Sequence, residues 1–370
     1  MRVRSAWLIL VSLHISAVQL TVEEPTNYQY QHGAITIPKA TADEPKLEKF
    51  SLKLALNYLD QGASAWIGSR GCLSCHTSGV YVTVRPALAM KVGEPPQEAR
   101  RFLESTLQQQ LESDRKELGQ KLGPAKVIHT AMGLAEWDAH VSKRLSGPTQ
   151  QALDLMLDIQ QENGSWAPPS SCWPPFESDS YHETTMAAMA VQTAPGWHRS
   201  LKDPKILTRV ERLKHYLRTQ SPPHDYGRVW LLRAASRMPD LLTPRQKQEL
   251  IETVWTHQRS DGGWSLRTFA APEEWGSGIR AAKLRGESEF SDPPSDGHQT
   301  GLAIAALREA GVPAEDPRIQ RGVAWLLRNQ RVSGRWWTRS LNTDGWHFIT
   351  YSSTAFAVLA LGLCNSLAFD

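Results

Sequence analysis

Three times in this chain a glutamine is followed at fixed distance by a glycine and a tryptophan. The runs are Gln160-x-x-x-Gly164-x-Trp166, Gln258-x-x-x-Gly262-x-Trp264 and Gln330-x-x-x-Gly334-x-Trp336. Glycine after a helix permits a tight left-handed turn. A glutamine amide can bond orphan backbone groups at the helix end. Tryptophan offers a large packing surface to a neighbouring unit. The pattern assigns these residues a structural role, repeated at equivalent places, rather than a catalytic one.

A second repeat runs through the chain. Residues 129–135, 182–190, 298–306 and 352–360 all begin polar and continue as small, apolar, almost uncharged helix. A helix apolar on all sides is a buried one. Looser copies occupy residues 76–90 and 226–237. The starts near 76, 129 and 182 lie 53 residues apart, and those near 298 and 352 lie 54 apart. Such periods mark repeated supersecondary units. Amphipathic helices alternate with the buried ones, near 46–59, 96–113 and 149–160, and again after Asp203-Pro204, Thr243-Pro244 and Asp316-Pro317. Each of those dipeptides offers a capping oxygen followed by proline at the first helical position. The expectation is an all-α fold in which about six helical hairpins close into a single α/α toroid over residues 45–370.

These Gln/Gly/Trp runs and small-residue inner helices resemble the repeat of squalene–hopene and oxidosqualene cyclases, shared with protein prenyltransferase β-subunits. The resemblance covers most of residues 45–364. It implies a terpenoid-cyclase-like ring with a funnel-shaped central cavity, and a terpenoid or lipid-like small molecule as ligand. The chain departs from the family in its chemistry. The bacterial cyclases protonate their substrate with an aspartate in a D-x-D-D motif, which is absent here. Ser180-Tyr181-His182-Glu183-Thr184 stands in its place, and neutral-range histidine is a weak acid for an isolated alkene. His182 and Glu183 are the catalytic candidates at that position, with Asp179 as another acid.

The other constraint is Cys72-Leu73-Ser74-Cys75-His76, in a chain with only four cysteines. C-x-x-C-H is the attachment signature of c-type haem. Its thiols bond the haem vinyl groups and the adjacent imidazole becomes the proximal iron ligand. A small-loop disulfide or half of a zinc site are the alternatives, although no second C-x-x-C or H-x3–5-H pair completes a zinc site. One covalent haem c is therefore expected at Cys72, Cys75 and His76. Arg85 is the candidate for a propionate, since guanidinium pairs well with carboxylates. His182, His298 and His129 begin inner helices at positions matching His76. They are the candidate distal ligands and should gather at one mouth of the ring. Tyr81, Tyr181, Asp296, Gln299 and Tyr351 are possible polar handles nearby.

Arg2 and Arg4 precede an apolar run from Ala6 to Val18, which is too short to span a bilayer. It reads as a signal peptide ending near residue 19. Export to a bacterial periplasm or cell envelope suits covalent haem attachment. Residues 20–44 carry Pro25 and Pro38 and read as a flexible arm. The net charge falls from +3 to about +1 without the leader, which argues against a nucleic-acid partner. No mature stretch reads as a membrane span. Residues 265–296 form a long insertion, either a lid or a surface loop. Cys172 and Cys364 are a possible pair in an oxidising compartment.

Three functions fit the sequence. One is a haem protein that carries out redox chemistry or electron transfer with a lipid-like molecule in the ring, using a redox partner protein. Another is a haem-free cyclase-like enzyme with Glu183 or Asp179 as acid. The last is a non-catalytic toroid that binds a lipid or a protein.

Overall fold

The computed structural model describes residues 28–169, 173–176, 179–276, 278–343 and 348–367. The expected signal peptide and Cys172 lie outside them. Among the described residues, twelve helices build a double ring. The outer helices are α1 (Leu52–Arg70), α3 (Gln97–Glu112), α5 (Gly147–Asp158), α7 (Pro204–Thr219), α9 (Pro244–Thr256) and α11 (Pro317–Asn329). The inner ones are α2 (Ser78–Val84), α4 (Gly123–Trp137), α6 (Ser180–Thr193), α8 (Asp225–Arg237), α10 (Gly297–Glu309) and α12 (Ile349–Leu363). Each inner helix packs on the next around the circle, and α12 packs on α2, so the ring closes. This is the all-α toroid of six hairpins that the repeats imply.

The inner helices are buried because their sequences leave no polar face. Every residue of α12 from Ile349 to Gly362 is buried, as is every residue of α10 from Gly297 to Leu307. At Gly301 an added Cβ would stand 2.5 Å from the Phe356 backbone carbon, so only glycine lets α10 and α12 approach this closely. The outer helices start where the capping dipeptides fall. Asp203, Thr243 and Asp316 each accept a backbone N–H of the first turn, with proline beside them.

The glutamine of each repeat ties two hairpins together. Gln160 Nε2 donates to the Gly164 carbonyl (2.9 Å) and to that of Arg209 in α7 (3.1 Å). Gln258 does the same to Gly262 (2.9 Å) and Arg318 in α11 (2.8 Å). Gln330 donates to Gly334 (3.0 Å) and to Ser51, the cap of α1 (2.8 Å), which joins the last hairpin to the first. The tryptophans are fully buried, and each indole N–H donates to a carbonyl ten residues earlier: Met156, Val254 and Leu326. The turn glycines have φ of 93°, 92° and 84°. At Gly334 a Cβ would lie 2.5 Å from the Leu54 backbone carbon. Gly334→Ala is expected to lose more than about 2 kcal/mol, read as a lower denaturation midpoint at unchanged slope, because left-handed backbone and backbone contact both penalise it.

Three expectations shift. α1 starts at Leu52 rather than near 46, because residues 46 and 47 pair with the turn after α11: Lys46 bridges Arg331, and Leu47 N–H donates to the Gln330 carbonyl. α4 starts at Gly123, so His129 lies in its second turn, not at its start. The arm is ordered over its described part. Tyr28–His32 and Ile35–Pro38 form an antiparallel hairpin that packs on α1, with Tyr30 and Ile37 buried. Arg335 holds it by donating to the Pro38 carbonyl (2.8 Å).

The axis of the ring is crossed by one stripe of α8: Tyr226, Trp230, Arg233 and Arg237. Trp230 meets His182 of α6 (ring centroids 5.0 Å) and Phe356 of α12 (6.0 Å), which stand on opposite sides of the circle. Arg237 likewise joins opposite helices, bonding Glu136 of α4 and Glu309 of α10. The funnel that the family resemblance implies is thus spanned by side chains at two levels.

Candidate functional site

The C-x-x-C-H loop lies between α1 and α2, at the end of the ring where the inner helices begin. It is fixed by its own polar groups. Trp66 Nε1 donates to the Cys72 carbonyl (3.0 Å), the Ser74 N–H donates to Ser78 Oγ (2.9 Å), and the Gly79 N–H donates to the Ser74 carbonyl (2.7 Å). Cys72 is half-buried and Cys75 buried. Burial raises the Tyr226 phenol above its ordinary value, and Cys75 adds to the shift.

The His76 ring is gripped by two aromatic rings. Phe348 stacks on it (4.4 Å, 16°) and Trp66 meets it edge-on (4.8 Å, 83°). Its Nδ1 is 2.8 Å from the Thr77 hydroxyl, which leaves Nε2 as the nitrogen for another partner. Burial pushes its pKa down to about 3, so the ring is neutral at neutral pH. A pocket of about 230 Å³ opens beside it, lined by Trp173, Phe176, Phe348 and Ile349 among others.

His182 and His298 each stack on Tyr226 (ring centroids 6.5 and 6.0 Å), and the three candidate distal histidines stand in different states. His298 is fully buried and both its nitrogens are engaged. Ser352 donates to the Ile349 carbonyl (2.9 Å), so His298 Nδ1–H donates to Ser352 Oγ (2.8 Å) and Nε2 accepts from Tyr226 (3.1 Å). Iron ligation by His298 would break this chain. His129 donates Nδ1–H to the Ala125 carbonyl (2.9 Å). His182 stands against Trp230, and its buried Nδ1 has no hydrogen-bond partner. Of the three distal candidates, it alone has a buried ring nitrogen left without one. Burial lowers all three, to about 4 for His182 and about 3 for His298. Neutral imidazole is the form that binds iron. Among the described residues no three His, Cys, Asp or Glu side chains are placed to hold a bare metal ion. A haem iron draws at most two ligands from the protein.

Sequence reading missed His224. It caps α8, accepting the Gly227 N–H on Nδ1 (3.0 Å), so Nε2 carries the proton and faces Asp179 at 4.0 Å. Its only signal was a polar residue just ahead of a helix, shared with many others. Asp179 caps α6 through the His182 N–H (2.8 Å), and Glu183 is buried in the same turn. Asp179 Oδ1 is thus committed to the cap, while Oδ2 faces His224. Arg85 donates to Asp60 (3.2 Å) and to the carbonyls of Gly93 (2.7 Å) and Glu94 (3.4 Å), so the structure uses its guanidinium to tie the end of α2 instead of leaving it for a propionate. Tyr81, Tyr181 and Tyr351 donate to Asp60, Leu217 and Leu59. Asp296 caps α10, and burial raises its pKa. The long insertion is pinned to the mouth by Trp275, which is buried against His224 (5.1 Å) and Tyr226 (5.5 Å). No helix among the described residues is long and apolar enough to cross a membrane.

Residues 226–365, from α8 to the end of α12, match the squalene-hopene cyclase C-terminal domain model. No curated protein matches the chain. Similar solved structures include a variant of the type II terpene cyclase MstE from Scytonema in complex with geranylgeranyl dihydroxybenzoate. It is 12% identical, covers 85% of this chain and 99% of its own, and has a TM-score of 0.47. A wild-type glycosidase is 12% identical, covering 85% and 97%, with a TM-score of 0.47. A protein from Actinoplanes is also 12% identical, covering 85% and 98%, with a TM-score of 0.46. Over its last five ring helices, then, the chain is similar to the squalene-hopene cyclase C-terminal domain.

Proposed function

We propose that this chain is an exported c-type haem protein that uses the toroid as its scaffold. Cys72 and Cys75 would hold the haem and His76 Nε2 would bind the iron, supplying a one-electron centre at the mouth of the ring. The observation that carries the reading is His76 itself. It sits in the attachment motif, is neutral, has Nδ1 already bonded, and is clamped between Trp66 and Phe348 at an apolar pocket. A ligating imidazole whose other nitrogen is bonded is the arrangement that fixes tautomer and ring orientation. At about 230 Å³ the pocket is below the roughly 300–1,000 Å³ of sites that enclose a whole ligand, so it can enclose only part of a group of haem size.

In this reading the protein exchanges electrons with a partner protein or with a terpenoid or lipid-like molecule brought to the mouth. Trp173, half-exposed at the pocket edge, offers that molecule an apolar contact. His182, with its buried unbonded Nδ1, is the residue of this chain best prepared to serve as distal ligand or to exchange a proton. A second reading, a toroid that binds a lipid or protein without chemistry, has one observation in its favour: Trp230 and Arg237 span the ring where a cavity would lie.

The test is the absorption spectrum of protein exported from cells that carry the c-type haem maturation system. The reduced protein should show c-type haem bands. His76→Ala should keep the attached haem but convert its spectrum to that of a protein lacking the proximal imidazole. A wild-type spectrum in His76→Ala would remove His76 as ligand.

A further inference from the structure

The N-terminal hairpin reaches the ligand candidate from behind. Thr77 Oγ1, fully buried, lies 2.8 Å from His76 Nδ1 and 2.8 Å from the Tyr30 hydroxyl. The Tyr30 ring packs on Trp66 (6.4 Å) and Phe348 (5.8 Å), the same two rings that clamp His76. Tyr30 also interacts with the Gln29 side chain, whose Oε1 accepts from Tyr58 (3.2 Å) and Arg335 (3.2 Å). A line of buried polar groups therefore runs from His76 through Thr77, Tyr30 and Gln29 to a guanidinium.

We propose that Tyr30 and Thr77 are positioning residues that set the donor strength of His76, and with it the reduction potential of the haem. The inference rests on the haem reading above. Iron on Nε2 requires the proton on Nδ1, and Thr77 Oγ1 is its acceptor. The Thr77 hydroxyl proton then passes its bond to the Tyr30 oxygen. Hydrogen bonds in series strengthen one another. A stronger bond from Nδ1–H makes the imidazole more basic and stabilises oxidised iron. The Tyr30 phenol stays neutral because burial raises it. The hairpin is in this way part of the redox site rather than a flexible arm.

The experiment is a spectroelectrochemical titration of the exported haem-loaded protein, with the ferrous iron–histidine stretch read by resonance Raman. Thr77→Val removes the acceptor and keeps the shape. It should favour the reduced form about tenfold, equivalent to a potential about 59 mV more positive, and lower the stretching frequency. Tyr30→Phe should move both in the same direction, by about threefold in the equilibrium. Thr77→Ser, which restores the hydroxyl, should return both to wild-type values. Unchanged potential and frequency in Thr77→Val and Tyr30→Phe at full haem content would overturn the proposal. So would a Thr77→Ser variant as shifted as Thr77→Val. Absence of haem from the wild-type protein removes the haem reading itself, and the spectrum alone reports that.

Discussion

Trp336→Ala is expected to destabilise the ring by about 3–5 kcal/mol, the range for deleting a large buried aromatic ring. Trp336 is fully buried, its indole N–H donates to Leu326 (2.8 Å), and its backbone N–H donates to Thr354 (3.2 Å). Its ring also meets Phe50 (6.1 Å), just ahead of α1. It therefore stands where the last hairpin meets the first. Loss here opens a cavity and leaves the Leu326 carbonyl without its indole donor. Urea denaturation should show the loss in the midpoint. A cost within 1 kcal/mol would mean that the repeat tryptophan does not lock the closure (the comparison threshold is about a quarter of the expected effect).

The second large effect lies at the opposite end of the inner helices. Glu309 receives Arg233 through two bonds of 2.9 Å each and Arg237 through one of 2.9 Å, while Arg237 also bonds Glu136. Burial would raise the Glu309 carboxyl, but Arg233 and Arg237 outweigh it and pull the pKa down to about 2. Removing one partner of such a buried set leaves charge unpaired, so Glu309→Gln should cost about 3–5 kcal/mol. The sign with pH follows from the depressed value. The contribution is complete above the unfolded carboxylate pKa of about 4.3 and is lost as pH falls toward about 2. Wild-type stability should therefore fall below about pH 4.3 more steeply than that of Glu309→Gln. Parallel curves for the two proteins would show that the network carries no such linkage.

Much of the architecture was legible in residue pattern. The Gln-x-x-x-Gly-x-Trp runs are readable because three unrelated requirements fall at fixed spacing: an amide for orphan carbonyls, a left-handed turn and an indole with a carbonyl ten residues back. The inner helices are readable because a ring buries them on all sides. The hairpin at Tyr28–His32 was hidden by flanking prolines and a polar composition, and it orders only because α1 and Arg335 receive it. The histidine mouth was partly legible. The helix-start position of His182 and His298 is readable, but sequence gives no sign that Tyr226 and Ser352 occupy both nitrogens of His298. The ties of Arg85 were hidden for the same reason, since its partners, Asp60 and two carbonyls, come together only once α2 ends at Val84. The filled axis was least legible, because Tyr226, Trp230, Arg233 and Arg237 read as an ordinary helical face until the ring closes around them.

The central claim is the covalent haem at Cys72, Cys75 and His76, and intact mass tests it most directly. Protein exported in the presence of the maturation system should be heavier than its processed sequence by one haem, and Cys72→Ala with Cys75→Ala should remove the increment. A folded, exported wild-type protein at its sequence mass would contradict the account.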